Sequence, residues 1–181
     1  MSRSVLARLT GSVVLVMTVS AGLATPAGAH VAFASPEVTA GGRGSAALRI
    51  GHGCNGSPTT EIAVTIPDGV TRVTPRALAG WTVTIEKRQL DTPVLVNGFE
   101  AREVVSRIIW SGGSLPDDIY EEFEFRFTAP DAPGTTLYFP VHQTCEQGSW
   151  SWSSIPGPGE RWEEMDTPAP FFRILPKPVT Q

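Results

Sequence analysis

In "TTEIAVTIP" the apolar residues Ile62, Val64 and Ile66 fall at every second position, with Glu61, Ala63 and Thr65 between them. Successive side chains of an extended strand point to opposite faces, so this alternation describes a strand with one buried and one wetted side. It recurs in "SAALRI" through Ala46, Leu48 and Ile50, and in "GWTVTIEK" through Trp81, Val83 and Ile85. "YEEFEFRFTAP" carries it through Phe123, Phe125 and Phe127, "TTLYFPVHQTC" through Leu137, Phe139 and Val141, and "EVVSRIIW" less cleanly. Turn-forming residues fall between these runs, in "PDG" at 67–69, "NG" at 97–98, "SGGS" at 111–114, "APDAPG" at 129–134 and "PGPG" at 156–159. No stretch of ten residues carries a helical period; "TPRALAG" and "LPDDIYEE" have room for a turn or two. Seven or more short strands in a chain with 18 glycines and 16 prolines predict an all-β fold, an antiparallel β-sandwich of cupredoxin or immunoglobulin type. "FFRILPKPVTQ" adds a last edge strand, with a loose tail over 176–181.

The first 29 residues read differently. Arg3 and Arg8 precede an apolar stretch around Val13 to Val19, and Ala27-Gly28-Ala29 fits the small-x-small pattern of signal-peptide cleavage. The apolar part is shorter than the roughly 20 residues a membrane-spanning helix needs, and no later apolar stretch stops transfer. The expectation is an exported chain, secreted or held in the cell envelope, with residues 1–29 removed and one domain over 30–175. Gly22-Leu23-Ala24 offers a second cleavage site that would leave Thr25 first.

Cleavage removes two of the 14 basic residues and none of the 18 acids, leaving a mature net charge of −6. That balance gives no overall electrostatic footprint for nucleic acid or anionic lipid. Cys54 and Cys145 are the two cysteines, and an exported chain with an even cysteine count pairs them in its oxidising compartment. A Cys54–Cys145 disulfide is therefore expected, and it withdraws both thiolates from metal chemistry.

After cleavage at Ala29, His30 becomes the first residue. Its α-amine and Nδ1 then close a six-membered chelate ring on one metal ion, and α-amines titrate near pH 8 or so, which makes the free base accessible. Nitrogen donors in a tetragonal arrangement suit Cu(II), which tops the divalent affinity order. Of the methionines only Met165 survives cleavage, which argues against a thioether-rich Cu(I) site. The other histidines, His52 in "GHGC" and His142 in "VHQTC", each lie near a cysteine in sequence, so the disulfide draws them together. The acids Asp117, Asp118, Glu121, Glu122 and Glu124 look at first like a metal or acid–base cluster. Because Glu122 and Glu124 alternate with phenylalanines, they read instead as the wetted face of one strand.

These residues sit in blocks that resemble a known family. "HVAFASPEVTAGG", "GCNGSPTTEIAVTIPDGV", "GWTVTIEK" and "FPVHQTCEQGSWSWSSIP" are together similar to the YcnI-like domain family of secreted bacterial copper proteins, from His30 to about Pro170. The resemblance implies a β-sandwich and a Cu(II) centre called a monohistidine brace. In it the N-terminal histidine chelates through amine and imidazole, a glutamate supplies oxygen, and a tryptophan lies close to the metal. Carried onto this chain, those roles fall on His30, Glu61 and Trp152, with Trp150 the competing tryptophan two residues away.

Two functions of different class follow. One is an exported copper metallochaperone or scavenger, which is not an enzyme, has copper as its cargo, and passes it to another exported or membrane protein. The other is a copper oxidase or monooxygenase built on a two-histidine brace, pairing His30 with His142 or His52. A metal-free adhesive sandwich is the plainest reading.

Overall fold

The computed structural model describes residues 30–96 and 98–179. The expected leader over 1–29 and residue Asn97 of the predicted "NG" turn lie outside the described residues. The alternating segments form twelve strands: β1 (Ala32–Phe33), β2 (Glu37–Thr39), β3 (Arg43–Ile50), β4 (Thr59–Thr65), β5 (Thr71–Pro75), β6 (Thr82–Val96), β7 (Phe99–Leu115), β8 (Glu121–Thr128), β9 (Thr136–Tyr138), β10 (Val141–Cys145), β11 (Ser149–Trp152) and β12 (Phe171–Leu175). Among the described residues the helical structure is one 3-10 turn, Trp162–Glu164. "TPRALAG" and "LPDDIYEE" are not helical.

The strands pair into a four-stranded sheet of order β1-β3-β8-β5 and a five-stranded sheet of order β11-β10-β4-β7-β6, with a small β2-β12-β9 sheet beside them. The inner faces of the two large sheets meet where Trp110 of β7 packs edge-on against Phe123 of β8, at 5.6 Å. All three phenylalanines of "FEFRF" are buried, as the alternation requires. Phe125 and Phe127 join Phe33, Phe139 and Phe172 in one aromatic cluster with centroid spacings between 4.5 and 6.1 Å. Burying rings of this size contributes most of what holds a small core together, and offset or edge-on pairs add about 0.5–1.5 kcal/mol each beyond area. Pairing is antiparallel throughout except between β2 and β12, which run parallel.

Two stretches differ from their sequence expectation. "SGGS" is not a turn but the interior of β7. Gly112 has φ 81°, and a Cβ on Gly113 would sit 2.1 Å from the Trp81 ring. The glycines thus serve an irregular strand and the close approach of an aromatic, rather than a reversal. "EKRQLDTPVLV" continues β6 well past its apolar alternation, so that β6 and β7 form a long hairpin. β4 covers β7 only from Arg107 to Leu115, and the hairpin's remainder, with its turn around Gly98, extends beyond the sandwich.

Candidate functional site

His30 and His52 come to one end of the sandwich. Ala32 pairs with Arg49 across β1 and β3, so His30, two residues before, lies beside the point where β3 ends at Ile50 and Gly51-His52-Gly53-Cys54 begins. Cys54 is bonded to Cys145 with Cα atoms 5.9 Å apart, which ties that segment to the end of β10. The backbone here is tight. The Gly53 N–H donates to Asp117 Oδ1 at 2.8 Å, giving one member of the acidic cluster a structural role. A Cβ on Gly53 would stand 1.9 Å from the Ser57 carbonyl oxygen. We expect Gly53→Ala to cost about 3 kcal/mol, the range of a severe backbone clash, read as a lower urea midpoint at unchanged slope.

Beneath this segment lies a polar residue that the sequence reading did not single out. Gln143 is fully buried. Its Nε2 donates to the His52 carbonyl at 2.7 Å and to Thr59 Oγ1 at 2.8 Å, while its Oε1 accepts from Trp152 Nε1 at 3.0 Å. One amide therefore joins β10, β11, the start of β4 and the GHGC segment. The signal was present in "VHQTC": period two places Gln143 on the same inward face as Val141 and Cys145. Gln143→Leu fills the space but leaves an indole N–H, a hydroxyl and a carbonyl without their partner. At about 1–3 kcal/mol for each buried group left unsatisfied, the expected loss is at least about 3 kcal/mol, measured by denaturant unfolding.

The predicted metal residues do not gather at one point. His30 is half-buried, and its ring stands edge-on to Trp162 at 5.0 Å. Trp162 in turn is fixed by donating Nε1–H to the Ala169 carbonyl at 2.7 Å and by packing on Phe171 at 5.6 Å. A cleft of about 140 Å³ runs beside it, lined by Ala32, Phe33, Pro36, Trp162, Glu163 and Phe171. Trp152 is buried on the inner face of the five-stranded sheet, with its ring 5.9 Å from that of His52. Trp150 packs against it at 6.0 Å, and the buried Trp150 Nε1 has no hydrogen-bond partner.

Glu61 pairs with Thr144 and Ser111, one register step from Ile62 and Gln143. Since Ile62 and Gln143 point inward, Glu61 points outward, on the face opposite to Trp152. His142 pairs with Ala63 and Ser151 on that same outer face, diagonal to Glu61. Among the described residues no group of three His, Cys, Asp or Glu side chains forms a ready metal cage. His30 and His52 are the histidines at this end, and Glu163 lines the cleft beside Trp162.

Glu122 and Glu124 form the wetted, ion-paired face that alternation predicted. Glu122 bonds Arg49 at 2.6 Å and Glu124 bonds Arg76, exposed pairs of little energetic weight.

Fold and site together define a disulfide-bonded β-sandwich domain of immunoglobulin-like type. The chain belongs to the family described as a domain of unknown function, DUF1775, which is the YcnI-like family and matches residues 30–174. Among solved structures the chain is similar to an uncharacterized Nocardia farcinica protein described as having an immunoglobulin-like fold. That likeness has a TM-score of 0.61 and 22% identity, over 81% of this chain and 98% of the other. A putative membrane anchored protein from Corynebacterium diphtheriae matches with a TM-score of 0.36 and 13% identity, over 84% of this chain and 35% of the other. No curated protein matches the chain. No helix among the described residues is long and apolar enough to cross a membrane.

Proposed function

We propose that this chain is an exported Cu(II)-binding protein, a metallochaperone or scavenger, that grips its cargo through the α-amine and Nδ1 of His30. The observation that carries the reading is the placement of His30. It heads β1 at an open end of the sandwich, half-buried, with its ring steadied edge-on by Trp162. A histidine held there offers two nitrogens to an ion while leaving other coordination positions open to solvent, as handing over a cargo requires. The fit of the remaining donors is uneven. Trp152 lies near His52 at the same end, whereas Glu61 faces the other side of its sheet, and Glu163 lines the cleft beside Trp162. The disulfide suits an oxidising, extracytoplasmic compartment.

Two measurements test the reading. N-terminal sequencing of exported protein is expected to begin His-Val-Ala-Phe, and a start at Thr25 would remove the chelate. Titration of that mature chain with Cu(II), followed by electron paramagnetic resonance, is expected to give a one-to-one tetragonal signal with nitrogen hyperfine structure. A signal without nitrogen coupling, or several weak equivalents per chain, would sink the proposal.

A further inference from the structure

The opposite end of the sandwich carries arginines that the metal reading does not use. Arg43 and Thr128 face each other across β3 and β8, as do Ser45 and Arg126, and Thr74 of β5 pairs with Arg126 from the other side. With Arg72 they line an open groove of about 470 Å³ on the outer face of the four-stranded sheet. No carboxylate lines this groove, and neither Arg43 nor Arg126 has an acidic partner among the described residues. Of the acids at this end and on the hairpin, Asp68 pairs with Arg88, Asp131 with Lys177 and Glu103 with Lys87, Glu100 meets Arg102 at 4.0 Å, and Glu86 and Asp91 form no ion pair among the described residues.

The backbone around Arg72 is itself unusual. The register of β5 against β8 shifts between Thr71 and Thr74, and Arg72 is held at φ 54°, a conformation that non-glycine residues seldom adopt. Bulges and such outliers recur where a side chain is aimed at a task.

Thr128 also lines the neighbouring cleft, which the β6–β7 hairpin closes with Leu90, Val94 and Leu95. The hairpin's free end is thus adjacent to the arginines. Its apolar residues are strongly exposed, Leu95 at 74% and Phe99 at 78%. Guanidinium groups beside an exposed aromatic and aliphatic tip form the pair of features that a phospholipid surface recognises: the arginines meet headgroup phosphates in fork geometry, and the tip enters the interface.

We propose that this end of the molecule docks on a bilayer of anionic phospholipid, through Arg43 and Arg126 and the hairpin tip at Leu95 and Phe99. The mature net charge conceals the patch because the acids lie largely elsewhere or are already paired. Docking here leaves the His30 end turned away from the membrane, since Arg43 and Ile50 are the two ends of one strand. The inference does not depend on copper.

The test is sedimentation of the mature chain with vesicles of phosphatidylglycerol, beside vesicles of phosphatidylcholine alone. Binding is expected only to the anionic vesicles and is expected to fall as salt is raised. Arg43→Gln/Arg126→Gln should weaken it about 30-fold at an unchanged melting temperature, and Leu95→Ser/Phe99→Ser about tenfold. Equal binding to both vesicle types, no binding to either, or undiminished binding by the arginine variant would overturn the proposal. So would saturable binding of inorganic phosphate that requires Arg43 and Arg126 while vesicles are ignored, or a dimer that the serine variant dissociates while vesicles are ignored.

Discussion

Removing the Cys54–Cys145 bond, by reduction or in a Cys54→Ser/Cys145→Ser double variant, is expected to lower the unfolding free energy by about 4 kcal/mol. The bonded cysteines are 91 residues apart in sequence, and opening a loop of that length returns about 4–5 kcal/mol of chain entropy to the unfolded state. The native state should change little, because the neighbouring contacts rely little on sulfur, the exception being the buried Thr59 hydroxyl, 3.8 Å from Cys145 Sγ. Cys54 and Ser57 exchange backbone hydrogen bonds of 3.0 and 3.1 Å, and Gln143 still links His52, Thr59 and Trp152. For a domain of this size the loss corresponds to a melting point lower by about 10 °C or more. Urea unfolding with and without reductant measures it. A difference below about 1 kcal/mol would show that the hydrogen-bonded network alone holds this end closed.

His30→Ala in the mature chain is expected to weaken Cu(II) binding by about 100-fold or more. Metal sites with four donors bind with about 10–16 kcal/mol, so a single lost donor accounts for some 3 kcal/mol, and each 1.4 kcal/mol is tenfold. The alanine keeps the α-amine and removes the imidazole, so the chelate ring cannot close. Competition titration against a chromophoric chelator reads the affinity, and paramagnetic resonance reads the lost nitrogen. Carboxylate variants separate two geometries. If Glu61→Gln weakens binding, the outward face of β4 takes part and the end of the sandwich rearranges around the ion. If Glu163→Gln weakens it and Glu61→Gln does not, the oxygen donor comes from the cleft beside Trp162. Because Glu163 is exposed and meets Arg161 only at 4.0 Å, its replacement should leave stability unchanged.

The all-β class was legible in the sequence because it rests on period two, and period two survives in local composition. Phe123, Phe125 and Phe127 declared an inward face, and Glu122 and Glu124 a wetted one, before any pairing was known. The long β6–β7 hairpin was not legible, since beyond Ile85 its strands carry "EKRQLD" on surfaces with no core to face. "SGGS" was misread for a related reason. A glycine that permits a turn and a glycine that clears space for an indole look alike until the partner, Trp81, is in place.

The site divides in the same way. Sequence pointed to His30 through cleavage chemistry and the family resemblance, and it placed His52 beside a cysteine. It could not pair His30 with Trp162, because that contact joins the two termini of the domain. Nor could it say which face of β4 would share an end with the histidine, since that depends on how the two sheets stack.

The parallel pairing of β2 with β12 sets a condition on how the protein comes into being. Glu37 lies beside Arg173 and Thr39 beside Leu175, so one of the earliest strands has no ladder partner on that edge until almost the last residues are available. Parallel strands need a long connection, and here that connection is nearly the whole domain. Contacts of such sequence separation form slowly. A chain emerging stepwise into its compartment therefore stays incomplete, with the apolar side of β2 exposed, until Phe171–Leu175 arrives. The last strand acts as a latch, and truncation ahead of it should yield protein that is captured by proteases rather than a smaller stable domain.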